Sequence, residues 1–143
     1  MSFNNAIYTK RRASPLKNMQ RGIAIIPTAR EVSRNADTRY DYRHDSNFYY
    51  LTGFTEPEAV LVLIAGRKKQ SILFCRNKDP KHEIWDGFRF GPEAVKQQFG
   101  FDQAYSITQL DEKLAELMDN QPTLFYPVGE RMAWDRRILK MRN

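Results

Sequence analysis

The sequence predicts an α/β domain in which a mixed β-sheet is flanked by helices. Three observations predict it. Ala59 to Ala65 is an unbroken apolar run of the kind a buried strand shows. Gly66-Arg67-Lys68-Lys69 separates that run from a second strand-like segment, Gln70 to Cys75, and a link so short joins only antiparallel neighbours. Beyond Gly91, helix-period and strand-like segments alternate, which adds helices to the faces of that sheet. At 143 residues one domain covering 1–143 is enough, and its core needs no disulfide or structural metal.

Taken in order, Ala6 to Gln20 reads as a first helix, either continuous or broken near Ser14 and restarted with Pro15 in a first turn, and Gly22 ends it. Ile23-Ala24-Ile25-Ile26 before Pro27 is the short apolar run of a central strand covered on both faces. Arg30 to Arg39 is polar and loop-like, and Tyr40 and Tyr42 alternate with Asp41 and Arg43 as a short edge strand or an extended segment. Asp45, Ser46 and Asn47 are cap-type residues ahead of Phe48, Tyr49, Tyr50 and Leu51, so a short helix or single turn starts there and stops at Gly53. Thr55-Glu56-Pro57-Glu58 is a turn leading into the first strand of the hairpin.

Arg76 to Phe90 lacks a helical period and carries Asp79-Pro80 and Gly87; it is expected to be an irregular loop with at most a short strand at Glu83 to Trp85. Gly91-Pro92-Glu93 opens a helix with Val95 and Phe99 on one face, and Gly100 stops it. Gln103 to Ile107 is a strand candidate. Thr108 to Asp111 has a capping-box-like pattern before a helix with Leu110, Leu114, Leu117 and Met118 in one stripe. Thr123 to Tyr126 is a last strand, and Trp134, Ile138 and Met141 mark a closing helix over Glu130 to Met141.

Composition narrows the function classes. The chain is 41% hydrophobic and 28% charged, as ordinary globular domains are, and no apolar run is long enough to cross a bilayer, so no membrane is expected as a partner. A single cysteine, Cys75, forms no internal bridge and fits a reducing compartment, so a cytoplasmic location is expected. Residues 1–21 carry Lys10, Arg11, Arg12, Lys17 and Arg21 with no acid; they read as a basic first helix, with an organelle transit peptide as the alternative. The net charge of +6 arises from +5 over residues 1–21 and +3 over Val128 to Asn143, offset by −2 between them. Such scattered cations read as solvated helix faces, and with no recognition motif beside them no nucleic-acid partner is expected.

No complete catalytic constellation is present. Asp37, Asp41 and Asp45 with His44 are the one acidic cluster resembling a metal or acid-base site, but an extended segment would spread them apart, and they read as exposed or capping carboxylates, with Arg39 and Arg43 as their ion-pair partners. His82-Glu83 begins like a zinc-peptidase motif and lacks the second histidine one turn on. No nucleophile elbow, dinucleotide fingerprint or phosphate loop occurs. Phe48, Tyr49, Tyr50 and Phe54 read as core aromatics, and Cys75 as a small buried hydrophobe. Trp85 lies among His82, Glu83, Asp86 and Arg89, where an indole either anchors a partner or packs over the sheet edge.

The contiguous stretch NADTRYDYRHDSNFYYLTGFTEPEAVLVL, residues 35–63, resembles the signature of the N-terminal domain of Xaa-Pro aminopeptidases (aminopeptidase P), of the prolidase and creatinase "pita-bread" group. The resemblance extends more loosely through Arg11-Arg12, Ser71-Ile72-Leu73-Phe74 and Glu83-Ile84-Trp85. It implies a three-layer domain of ribonuclease H-like topology, with no catalytic residue, metal ligand or cofactor in this chain. In the full-length enzyme it implies two manganese ions held by two Asp, one His and two Glu of a following domain, which this sequence ends before reaching at Asn143. The implied function is that of a non-catalytic domain of a homo-oligomeric hydrolase that removes the N-terminal residue preceding proline from proline-containing peptides. This chain, inactive alone, would supply subunit contacts and part of the substrate-cleft wall. Trp85 matches a tryptophan that helps close the cleft of a neighbouring subunit. Arg89 is assigned to the same cleft, although Asp86-Gly87-Phe88-Arg89 departs from the Gly-Arg-Arg that often follows in the family. Two alternatives stand beside it: a free-standing interaction module of the same fold using Trp85 and the basic ends, and a nucleic-acid-binding domain using those ends.

Overall fold

The computed structural model describes residues 5–28, 46–119 and 121–125. The elements are α1 (Ala6–Met19), β1 (Gly22–Pro27), α2 (Ser46–Thr52), β2 (Val60–Ala65), β3 (Gln70–Cys75), α3 (Pro80–Asp86), α4 (Pro92–Phe99), β4 (Gln103–Ser106), a 3-10 turn (Ile107–Gln109), α5 (Leu110–Met118) and β5 (Leu124–Phe125). The sheet runs β4-β3-β2-β1-β5. β1, β2 and β3 form an antiparallel meander, and β4 and β5 add parallel strands at its two edges. Among the described strands β2 alone therefore runs against the others. This is the mixed, helix-flanked sheet that the hairpin and the later alternation predict.

The period-2 alternation of side chains sorts the core into two sets. Ala24, Leu61, Leu63, Leu73 and Cys75 face one side, under Leu16 of α1, Phe48 and Leu51 of α2, and Val95 and Phe99 of α4. Ile23, Ile25, Val60, Val62, Ile72 and Phe74 face the other, under Leu110, Leu114 and Met118 of α5. The register keeps the sets apart, pairing Ala24 with Leu63 and Leu61 with Leu73 on one face, and Ile25 with Val62 and Val62 with Ile72 on the other. Covered by helices above and below, β2 must be apolar at successive positions, and Leu61, Val62 and Leu63 are fully buried.

Of the two forms open for α1 the continuous one occurs: it runs unbroken through Pro15, which forgoes one helical hydrogen bond, and packs on the core through Leu16. Several expectations need correction. Gln20, with φ 61°, rather than Gly22 turns the chain out of α1. Gly22 instead serves β-pairing: a Cβ there would lie 2.7 Å from the Thr123 carbonyl oxygen, so only glycine lets the segment before β5 approach. The helix after β4 is capped by Ser106, whose side chain accepts from the Thr108 amide, and starts as a 3-10 turn, so Thr108 is not the cap. The segment expected to be irregular with a short strand holds the helix α3. The Asp37, Asp41, Asp45 and His44 cluster, Arg39 and Arg43, the Tyr40 to Tyr42 segment, the Asp45 cap and the closing helix at Glu130 to Met141 lie outside the described residues.

Candidate functional site

Among the described residues, the most chemically distinctive surface is the segment between β3 and α4. Its two ends pass in contact at Lys78 and Gly91, where a Cβ on Gly91 would lie 3.0 Å from Lys78 Cβ. A compact surface loop with touching ends is an Ω-loop, a form frequently put to functional use. Within it Asp79 caps α3, accepting from the His82 amide at 3.3 Å, and Pro80 sits in the first turn, where its missing N–H costs nothing. These two residues and Glu83 start a helix of seven residues that buries none of them.

Two carboxylates tie the loop down. Glu56, from the turn before β2, accepts from the Phe90 amide at 2.8 Å and from Arg76 Nη2 at 3.3 Å, binding both flanks to the body of the domain. Glu83 accepts from Lys78 Nζ at 2.7 Å, the Arg89 amide at 3.0 Å and the Asp79 amide at 3.1 Å. Lys78 Nζ also donates to the Arg89 carbonyl at 2.8 Å and lies 4.1 Å from the centre of the Phe88 ring. Phe90 carries the anchorage inward, its ring 5.1 Å from that of Phe99 and 6.0 Å from that of Phe54.

What this bracing presents is apolar. Trp85 is 85% exposed, Ile84 77% and Phe88 63%, on one short loop, whereas the other large apolar side chains among the described residues are mostly covered. Arg89 is mostly covered, with Nη2 3.7 Å from Asp86 Oδ2. The structure therefore puts Trp85 outward and Arg89 against its own helix, so the two expected cleft residues share a loop and not an orientation to solvent. His82 Nδ1 lies 2.6 Å from Asp79 Oδ2. Hydrogen bonds from the His82 side chain and amide hold the Asp79 carboxyl below its ordinary range, and those from Lys78 and the Arg89 amide do the same for Glu83. Both are thus set up as structural anions, ill suited to proton transfer near neutrality.

Two further groups, Cys75 and Arg12, are shifted by burial. Burial pushes the Cys75 thiol up to about 12, so it stays protonated and unreactive. Burial lowers Arg12 to about 10, which leaves it charged at neutral pH. Among the described residues no three His, Cys, Asp or Glu side chains converge. Two open hollows, of about 710 Å³ beside Lys10, Arg11 and Tyr50 and about 230 Å³ beside Arg21, Arg67 and Lys68, have no histidine or acid in their linings. No helix among the described residues is long and apolar enough to cross a membrane. Tyr49 and Tyr50 are exposed while Phe48 and Phe54 are buried, so only half of that aromatic cluster is core.

Sequence reasoning missed Glu56, Glu83 and Arg12. For Glu83 a signal existed: Asp-Pro followed by Glu is the start of a capped helix.

A profile of the family described as "Aminopeptidase P, N-terminal domain" matches residues 8–126. The chain is 40% identical over 126 residues to the Xaa-Pro aminopeptidase of Escherichia coli (strain K12), a match covering 86% of this chain and 29% of that protein. It is 42% identical over 107 residues to Xaa-Pro aminopeptidase 3 of Dictyostelium discoideum, covering 73% of this chain and 21% of the relative. Among solved structures, a low-pH form of aminopeptidase P from E. coli superposes with a TM-score of 0.89 at 35% identity, over 99% of this chain and 33% of that one. Aminopeptidase PepP of Pseudomonas aeruginosa does so with a TM-score of 0.88 at 39% identity, over 98% and 32%. The chain thus spans a third or less of the length of these relatives.

Proposed function

The chain belongs to the aminopeptidase P N-terminal domain family, and from that premise we propose that it is the non-catalytic part of a metal-dependent Xaa-Pro aminopeptidase. The full enzyme in this reading works in the cytoplasm as a homo-oligomer on proline-containing peptides, removing the N-terminal residue that precedes proline. Two manganese ions, when bound, would supply Lewis-acid activation of water, and their ligands would come from a domain outside this match. This domain supplies subunit contacts and one wall of the substrate cleft.

The observation that carries the reading is the 85% exposure of Trp85 on a loop whose backbone is pinned by Glu56 and Glu83. An indole left in water by its own domain but held on a braced loop is suited to a surface completed elsewhere. Here that surface is the cleft of a neighbouring subunit, where Trp85 forms an apolar wall and Arg89 shapes its edge from behind. Two expressed forms test the division of labour: the 143-residue chain alone, and a longer protein in which it is followed by a peptidase domain. With manganese and an Xaa-Pro peptide, the longer protein turns over and the chain alone does not. Hydrolysis by the purified chain would overturn the reading.

A further inference from the structure

We propose that Glu83 is the positioning residue for Trp85, fixing the direction in which the indole leaves the domain. The functional part of the inference rests on the cleft reading above; the positional part rests on geometry alone. α3 has seven residues and buries none, so neither its length nor an apolar face holds it helical. Its order must come from polar contacts, and more of these meet at the Glu83 carboxylate than at any other group of the loop. Glu83 takes the Lys78 ammonium and the Asp79 amide from the start of the loop, and the Arg89 amide from its end. Two of these donors are backbone groups outside the helix ladder, which lose their partners if the carboxylate goes. The other contacts do less for α3 itself: Glu56 holds Arg76 and Phe90 at the loop's flanks, Arg89 and Asp86 are 3.7 Å apart with Asp86 well exposed, and the Asp79 and His82 pair is largely solvated. Glu83 is two residues from Trp85 on the same helix, so freedom at one end of α3 becomes freedom of the indole. Neither core cluster includes Glu83, so its loss leaves the fold intact.

Glu83→Gln and Glu83→Ala in the 143-residue chain test the positional part. Each is predicted to speed backbone amide exchange at residues 83–87 by about tenfold or more, the signature of local opening, while the urea midpoint stays near that of the parent. With Trp134→Phe leaving Trp85 as the only indole of the two in the chain, fluorescence anisotropy falls in parallel. Unchanged exchange and anisotropy in both variants would overturn the proposal. In the longer protein, Glu83→Ala is predicted to raise KM for an Xaa-Pro peptide with kcat little changed, as Trp85→Ala does, and the double variant is no worse than Trp85→Ala. If Trp85→Ala raises KM while Glu83→Ala does not, positioning by Glu83 is wrong and the cleft reading survives. If α3 loosens while both variants leave KM unchanged, Glu83 still positions Trp85 and the cleft reading falls.

Discussion

Arg12 Nη1, on a side chain only 2% exposed, donates to the Leu51 carbonyl oxygen across 2.8 Å. The same guanidinium reaches the Gly100 carbonyl through Nη2 at 3.4 Å and lies 4.5 Å from the centre of the Phe101 ring. Leu51 is in the last turn of α2, and Gly100 follows the end of α4. One buried cation on α1 therefore meets the negative ends of two further helices, an arrangement the helix dipole favours.

Truncation of Arg12 removes that junction and leaves the buried Leu51 carbonyl without this donor. Arg12→Ala is predicted to cost about 2–4 kcal/mol, combining lost packing with unsatisfied acceptors. Arg12→Lys recovers only part of this, since an ammonium lacks the planar fork. Urea unfolding monitored by circular dichroism measures both.

Gly91 and Gly87 separate two causes of strain. Both have positive φ, 82° and 95°, but a Cβ on Gly91 meets Lys78 at 3.0 Å whereas one on Gly87 meets nothing within 4 Å. Gly87→Ala is predicted to cost about 1 kcal/mol from backbone conformation alone. Gly91→Ala costs more and also displaces the loop closure, which shows as faster amide exchange in α3. Equal effects from the two substitutions would mean that the contact between the loop ends is unimportant.

Acid should release α3 before the domain unfolds. The Asp79 and Glu83 carboxyls are held below their ordinary values of 3.8 and 4.5, by His82 and by Lys78 respectively. Groups lowered in the folded state contribute stability that is full above those ordinary values and is lost as pH falls through the folded ones. Amide exchange referenced to each residue's intrinsic rate should show α3 protected at pH 6 and opening as pH falls below those ordinary values. Glu83→Gln should already show the open state at pH 6, whereas Asp79→Asn, which keeps an N-cap oxygen for the His82 amide, should show much less of it.

The sheet was legible because its residues say where they are buried: the run from Ala59 to Ala65 is apolar throughout, and the short link before Gln70 leaves only a hairpin. α4 and α5 were legible from proline, glycine and a repeating apolar stripe, and the family from the stretch 35–63. α3 was marked only by its Asp79-Pro80 start, because Ile84 and Trp85 both face solvent and no periodic stripe follows. The bonds that hold it run from Glu83 to Lys78 and Arg89, pairings that spacing does not encode. Arg12 was equally hidden: nothing local distinguishes it from Arg11, and only the arrival of Leu51 and Gly100 makes one of the two buried. Trp85 was nameable in advance, whereas its support was visible only in the fold.

The central claim is that this domain presents a braced indole to a cleft it does not itself contain. Steady-state kinetics of Trp85→Ala in the longer, assembled protein test it most directly. Since the side chain is 85% exposed, thermal stability should stay within about 0.5 kcal/mol of the parent. KM for an Xaa-Pro peptide should rise about tenfold, equivalent to about 1.4 kcal/mol of lost contact. An unchanged kcat/KM in a fully assembled enzyme would contradict the account.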